Sequence, residues 1–313
     1  MKNILYNINA VIVINGIKKQ FGNLVAVNDI NLQINEGEIF ALLGPDGAGK
    51  TTILRLLCGA LKPDEGSIKI KDIDLLKHTD KAREYIGYMP QRFSLYENLS
   101  VIQNINFFSD LHRVDKSIRR KRTEELLHIS RLTQFADRLA RQLSGGMKQK
   151  LALICSIIHN PPILLLDEPT TGVDPVSRRD FWKILHRLIS ENRTLVISTP
   201  YMDEAERCNR IAMIHEGKIL MVNTPSELKQ QISGKVIEIK CDQTNLACNY
   251  LKSHINTVNI QAFSDKIRLL IRHESIQEII SLLQSMGIDV KEVQEVPSNL
   301  EDIFISQLLE KRS

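Results

Sequence analysis

The amino-acid sequence predicts an α/β fold built on a parallel sheet, followed by a small α+β domain. Three observations carry this prediction. The apolar run EIFALL (38–43) reads as a buried strand and leads at once into a glycine-rich loop and the helical stretch TTILRLLCGAL. PPILLLDEP and RTLVISTP read as two more strands with the helical stretch VSRRDFWKILHRLISEN between them, an order that argues for parallel pairing. Beyond Gly234, strand-like and helix-like segments alternate within a short span.

Size and composition agree. The 313 residues suggest about two domains, and 43% apolar with 25% charged residues is a globular composition. A net charge of +4 is too small to argue for nucleic acid, which is not expected as a partner. The five cysteines, Cys58, Cys155, Cys208, Cys241 and Cys248, are scattered and lack CxxC spacing, so they suggest neither a disulfide framework nor a zinc site. No apolar run approaches the roughly 18 residues of a membrane span, and the first fourteen residues are broken by Asn7 and Asn9 without a convincing cleavage site. A soluble cytoplasmic chain is therefore expected.

Taken in order, VIVING (11–16) and INLQI (30–34) read as strands before EIFALL. From Gly87 to about Asn160 the pattern turns helical, through LSVIQNINFFSDL, the basic stretch containing TEELL, and SGGMKQKLALICSII, which predicts a helical insert. IAMIHEGKILMVN (211–223) reads as a hairpin around Glu216-Gly217, and SELKQQI closes the first domain near residue 232. The second domain, 235–313, runs through KVIEIK, NLACNYLKSH, TVNIQAF, KIRLLIRH, SIQEIISLLQSMG and IDVKEVQEV. It ends in PSNLEDIFISQLLEKR, where Ser298 is the expected N-cap with Glu301 at capping-box spacing.

Three motifs carry chemistry. Gly44-Pro45-Asp46-Gly47-Ala48-Gly49-Lys50-Thr51, followed by Thr52, satisfies G-x-x-x-x-G-K-[ST] between a strand and a helix. Glycines let backbone N–H groups cradle phosphates, Lys50 reaches the terminal phosphates, and Thr51 can ligate Mg²⁺ at the helix N-terminus. Asp167 and Glu168 leave the strand ILLLD, where one carboxylate can hold Mg²⁺ and the next can polarise water. Strands often end in acidic residues, so the pair gains its specificity from the phosphate loop upstream, and together they indicate a P-loop nucleotide hydrolase. Ser144, Gly145 and Gly146, in LSGGMKQK, are compatible with a plain N-cap and turn. They also form a helix terminus cleared of side chains, a second candidate anion site.

GPDGAGKT, LSGGMKQK and ILLLDEP, in this order, resemble the nucleotide-binding subunits of ABC transporters over about residues 11–232. The resemblance implies a RecA-like ABC ATPase core with antiparallel β and helical subdomains, the latter over about 90–160, binding ATP and Mg²⁺. It extends to Gln91, similar to the glutamine that touches Mg²⁺ and senses the membrane partner, and to Asp174 in TTGVDP, similar to the D-loop. Phe21 resembles the aromatic that stacks on adenine, although as a bare sequence feature it is equally compatible with the core. The family arrangement implies a head-to-tail homodimer or heterodimer with another ABC ATPase, in which Ser144, Gly145 and Gly146 cap the γ-phosphate held by the other subunit. The C-terminal tail resembles the accessory domain of the drug and antibiotic export branch. That implies an exporter with a separate integral membrane permease, the chain lying peripherally at the cytoplasmic face of the membrane.

Two positions depart from the pattern. Pro200 stands where the family usually has the switch histidine, and proline donates no hydrogen bond. Asp46 stands where asparagine is usual. The same pair of departures resembles the first ATPase half of certain tandem exporter ATPases, which implies an asymmetric pair. The expectation is an ATPase with Glu168, Lys50, Gln91 and the degenerate position Pro200 around the reaction; the alternative is a regulatory nucleotide-binding subunit beside an active ATPase. A soluble ABC protein of DNA maintenance or translation is disfavoured, because the segment between Lys50 and Ser144 leaves little room for a long coiled coil. The basic cluster Lys116, Arg119, Arg120, Lys121 and Arg122 could face anionic lipid, but reads first as a solvated helical face.

Overall fold

The computed structural model describes residues 9–92, 95–232, 234–255, 259–272 and 275–310. Asn7, weighed above in the leader reading, and the start of TVNIQAF lie outside the described residues. The chain divides into two compact units, Met1–Val222 and Asn223–Ser313.

In chain order the first unit comprises β1 (Ala10–Phe21), β2 (Leu24–Asn35), β3 (Ile39–Leu43), α1 (Lys50–Leu57), β4 (Glu65–Ile70), β5 (Ile73–Asp74), α2 (Thr79–Arg83) and β6 (Ile86–Met89). It continues with α3 (Val101–Leu111), α4 (Lys116–Ser130), α5 (Gly145–Ile157), β7 (Ile163–Asp167), α6 (Pro175–Ser190), β8 (Thr194–Thr199), α7 (Met202–Ala205), β9 (Arg210–His215) and β10 (Lys218–Asn223). A six-stranded sheet runs β10-β9-β3-β8-β7-β6, with β3 parallel to both β8 and β9, and β7 parallel to both β8 and β6. The α/β fold is the one expected. Every residue of β3, β7 and β8 is buried, which is why these strands read as continuous apolar runs rather than alternating ones.

A second, antiparallel sheet runs β2-β1-β4-β5. Its inward residues, among them Ile12, Ile14 and Ile68, join Phe40, Leu42, Ile53 and Leu54 in one core. The hairpin of β4 and β5 is absent from the sequence reading, although Ile68 and Ile70 buried around exposed Lys69 give the period of two. The helical segment also begins later than Gly87. Gly87 lies within β6, a four-residue strand too short to show a period, and a Cβ there would lie 2.4 Å from the Ser156 carbonyl oxygen in α5.

Helix starts follow local chemistry. Ser100 caps α3 with Gln103 in a reciprocal capping box, and Asp174 caps α6 by accepting from the N–H groups of Val176 and Ser177, with Pro175 in the first turn. All five cysteines are buried free thiols. In α4, Arg119 pairs with Asp110 and Arg120 with Glu124, while Arg122 donates to the Ile157 carbonyl at 2.8 Å instead of extending into solvent.

The second unit holds α8 (Pro225–Gln230), β11 (Lys235–Cys241), α9 (Thr244–His254), β12 (Asn259–Phe263), β13 (Lys266–Ile271), α10 (Ile276–Ser285), β14 (Val290–Val296) and α11 (Leu300–Glu310). Strand order β12-β13-β11-β14, antiparallel throughout, with βαββαβ succession, is the split βαβ arrangement. Its core joins Ile237, Ile239 and Leu269 to Leu251, Ile279 and Leu283 of α9 and α10.

The boundary near residue 232 falls one helix late. α8 packs on α11, and Ser298 Oγ donates to the Lys229 carbonyl at 3.0 Å, so this helix belongs to the second unit. The cap of α11 is likewise shifted by one residue from Ser298 and Glu301. Asn299 Oδ1 accepts from the Asp302 N–H and Asp302 Oδ2 from the Asn299 N–H, both at 2.9 Å. Asp302 is the residue anchored in the interior, by Arg268 at 2.8 Å, and that contact sets the register of the cap.

Candidate functional site

The loop between β3 and α1 reverses the chain with Gly47 at φ 79° and Gly49 at φ 104°, values that favour glycine. Close approach adds a second constraint. A Cβ on Gly44 would lie 2.2 Å from the Ile214 carbonyl oxygen, and one on Gly49 2.5 Å from that of Ala26. The Gly217 N–H donates to the Ala48 carbonyl at 3.0 Å, so the β9–β10 turn holds the loop against β2.

Parallel pairing of β3, β8 and β7 brings three strand ends together beneath this loop. Lys50 is 3% exposed; its ammonium donates to the Gly44 and Pro45 carbonyls at 2.8 and 3.0 Å and lies 3.3 Å from Glu168 Oε1. Thr51 Oγ1 donates to Asp167 Oδ1 at 2.9 Å, and Ser198 Oγ donates to the same oxygen at 2.6 Å. Gln91 Nε2 donates to Glu168 Oε2 at 2.9 Å. Lys50, Thr51, Gln91, Asp167 and Glu168 therefore meet in one place.

Burial pushes the Asp167 carboxyl above its ordinary pKa, opposed by the Ser198 and Thr51 hydrogen bonds. Its Oδ2 is buried and has no hydrogen-bond partner among the described residues. A hard divalent cation with oxygen ligands would satisfy both features, so Asp167 and the Thr51 hydroxyl beside it fit Mg²⁺, while the Gln91 amide N–H is turned to Glu168. Glu168 adopts φ 47°, a strained conformation for a side chain of its kind, held by Ser198, whose Oγ and carbonyl oxygen stand 2.9 and 3.2 Å from the Glu168 nitrogen.

Above these groups opens a cavity of about 620 Å³, lined by Asp46, Gly47, Ala48, Gly49, Lys50, Thr51, Thr52, Gln91 and Glu168. Phe21, 46% exposed at the end of β1, forms part of its wall, with the Lys19 ammonium 5.6 Å from the ring centre. The ring is therefore not a core residue. Pro45 is exposed in the loop itself.

The LSGG segment lies elsewhere. Ser144 caps α5, accepting from the Met147 N–H at 3.4 Å, and Ser144 and Gly145 are exposed outside the cavity. Gly146 is buried against the first turn of α6, where a Cβ would lie 2.5 Å from Ser177 Cβ and Oγ. Gly145 and the D-loop residues Gly172 and Val173 line a second cavity of about 450 Å³ shared with Gln91.

Pro200 follows Thr199, whose carbonyl accepts from the Gly44 N–H at 3.4 Å, so it stands beside the start of the phosphate loop. His186 lies in α6 and His215 at the end of β9. What the motifs did not reveal is the support beneath this position. Buried Glu204 accepts from the hydroxyls of Thr170 and of Thr199, the latter at 2.7 Å, and lies 3.5 Å from Arg178 Nε. Ser198 was also missed, since its role follows from the register Asp167↔Ser198 between β7 and β8.

A glycine loop entering a helix with Lys50 and Thr51, under a parallel strand ending in Asp167-Glu168, defines a P-loop nucleoside triphosphatase fold. The ABC transporter family model matches residues 27–171, and a model described as "ATP-binding protein DrrA1-3-like, C-terminal domain" matches residues 224–308. The chain is 32% identical to "Daunorubicin resistance ATP-binding protein DrrA3" of Streptomyces coeruleorubidus over 298 residues, covering 94% of each chain. It is 44% identical to "Probable multidrug ABC transporter ATP-binding protein YbhF" of Escherichia coli over 229 residues, 72% of this chain but only 40% of that protein's length. Among solved structures, the dimeric ATP-binding cassette MJ0796 bound to ADP and Pi superposes with a TM-score of 0.62 at 29% identity, covering 68% of this chain and 98% of the other. The chain belongs to the ABC transporter family, on the branch of the multidrug and antibiotic export ATPases.

Proposed function

We propose that this chain is the ATP-binding subunit of a membrane exporter, coupling ATP binding and hydrolysis to transport of drugs or other small amphiphiles through a separate permease. The convergence of Lys50, Thr51, Gln91, Asp167 and Glu168 beneath one cavity carries this reading. In it, Lys50 and the loop N–H groups hold the phosphates, Thr51, Asp167 and Gln91 hold Mg²⁺, Phe21 stacks on the base, and Glu168 polarises water. Ser144, Gly145, Gly146 and Asp174 meet ATP held by a second ABC ATPase, identical or different, and the pair rests at the cytoplasmic face of the membrane. No helix among the described residues is long and apolar enough to cross a membrane.

A second reading is favoured by Pro200: the chain binds ATP but leaves most turnover to a partner ATPase. Comparing turnover of the isolated chain with that of the chain plus its partner separates the two. The common core is tested by displacement of a fluorescent ATP analogue, with Mg²⁺-dependent binding weakened at least about tenfold by Lys50→Met, and by recovery of a permease with the chain from native membranes. Absence of Mg²⁺-dependent nucleotide binding would sink both readings.

A further inference from the structure

We infer that the crevice between the C-terminal end of α4 and the flanks of α5 and α6 is a binding site for a phosphate-class anion, separate from the nucleotide cavity. The crevice encloses about 290 Å³, and four cationic side chains, Arg131, Lys150, Lys183 and Arg187, line it. Asp180 is its one carboxylate among the described residues.

That single carboxylate is shared three ways, with Lys183 at 3.2 Å, Arg131 at 3.5 Å and Lys150 at 3.7 Å. The Lys183 hydrogen bond, then the charges of Lys150, Lys183 and Arg131, hold Asp180 below the usual carboxylate range, so it stays ionised and its one charge is already divided. Arg187 has no ion pair among the described residues. Lys150 is the informative member: it is only 9% exposed, yet its one ion pair, with Asp180, stands at 3.7 Å, beyond hydrogen-bond distance. Lysines that deeply buried are ordinarily paired within hydrogen-bond distance. Three exposed cations and the largely buried Lys150 around one shared carboxylate make the arrangement that recognises a multiply charged oxyanion.

The location gives such a site a consequence. α5 opens at Ser144 and α6 at Asp174, and Lys150 and Asp180 sit less than two turns along each helix. An anion bound here would tie the flanks of the two helices whose N-termini carry the LSGG segment and the D-loop.

The phosphate can belong to a free anion or to a lipid headgroup, and the test has an arm for each. Arg131 and Lys183 are 74% and 72% exposed, and Arg187 is also exposed, so Arg131→Gln/Lys183→Gln/Arg187→Gln removes the rim without disturbing the core. Inorganic phosphate is titrated calorimetrically into the full chain carrying Lys50→Met, which weakens the phosphate loop, with and without the three rim substitutions, ionic strength being held with sodium chloride. The expected result is saturable binding that the rim substitutions weaken at least tenfold. Identical isotherms, or no saturable binding, overturn the site. In the second arm, vesicles of phosphatidylcholine with and without phosphatidylglycerol are sedimented with the same proteins. Rim-dependent cosedimentation together with phosphate binding assigns a lipid headgroup, and phosphate binding alone assigns a free anion. Vesicle binding without saturable phosphate binding is a surface-charge effect and counts against the site.

Discussion

Glu204→Ala isolates the support beneath Thr199 and Pro200. Glu204, Thr170 and Thr199 are each 1% exposed, so truncation removes the acceptor of two buried hydroxyls and leaves Arg178 without its nearest buried carboxylate. Hydrogen bonds to a charged acceptor contribute about 1.5–3 kcal/mol each, and breaking a buried ionic network by removing one partner costs about 3–5 kcal/mol in total. For a unit of this size 1 kcal/mol moves the melting midpoint by about 2–4 °C, so a drop of roughly 6–20 °C is expected. Trp182 is the only tryptophan and is buried in α6, the helix that carries Arg178, so its fluorescence follows the first unit without a contribution from the second. Glu204→Gln keeps the volume and one acceptor oxygen and should fall between wild type and Glu204→Ala. A loss below about 1 kcal/mol in Glu204→Ala, the size of a single neutral hydrogen bond, would refute the claim that this carboxylate ties Thr199 to Thr170.

Three other expectations follow from the geometry. His159 stacks on His112 with ring centres 3.9 Å apart, and burial, then His112 and the nearby arginines, push its pKa down to about 4 from 6.5. The unfolded chain therefore takes up a proton that the fold resists: stability from this group is intact above pH 6.5 and lost as pH falls towards about 4. Discounted for partial exposure, the loss is roughly 2–3 kcal/mol, and urea melts of His159→Gln across this range should lack that part of the acid slope. Pro200→His should raise ATP turnover at saturating ATP by about tenfold or more, given the roughly 10²- to 10⁴-fold worth of a positioned acid–base group; an unchanged rate in dimer-competent protein would count against a switch role for this position. Gly146→Ala should cost about 1–3 kcal/mol through its clash with Ser177, and Ser177→Gly in the same chain should recover much of it; failure of that rescue in thermal melts would mean the clash is not the cause.

The chemistry of this site was legible wherever it depends on neighbours in sequence, and hidden wherever it depends on strand register. Lys50 and Thr51 announce themselves because the phosphate loop needs glycines, lysine and threonine at fixed offsets. Asp167 and Glu168 end a strand that is otherwise apolar, a common place for acidic residues, and stand out only once the phosphate loop upstream is recognised. Ser198 carries as much of the geometry, holding both Asp167 and the Glu168 backbone, yet nothing in TLVIST marks it. Its role exists only because β7 and β8 pair in parallel with Asp167 opposite Ser198, and a one-residue slip would turn its side chain to the other face of the sheet. The capping of α11 fails for a related reason: Ser298-Glu301 and Asn299-Asp302 both have capping spacing, and tertiary contact decides between them when Arg268 fixes Asp302. Pro200 is the converse case. Sequence alone shows that it cannot donate a hydrogen bond, but only the fold shows that the residue before it is held by Gly44 of the phosphate loop on one side and by Glu204 on the other. On the proposed reading of Pro200 as a switch position without its side chain, the scaffold that would position one is still present. On that reading the capacity to bind nucleotide is separate from the rate of hydrolysis, and Pro200→His, rather than any change to the loop, is the informative substitution.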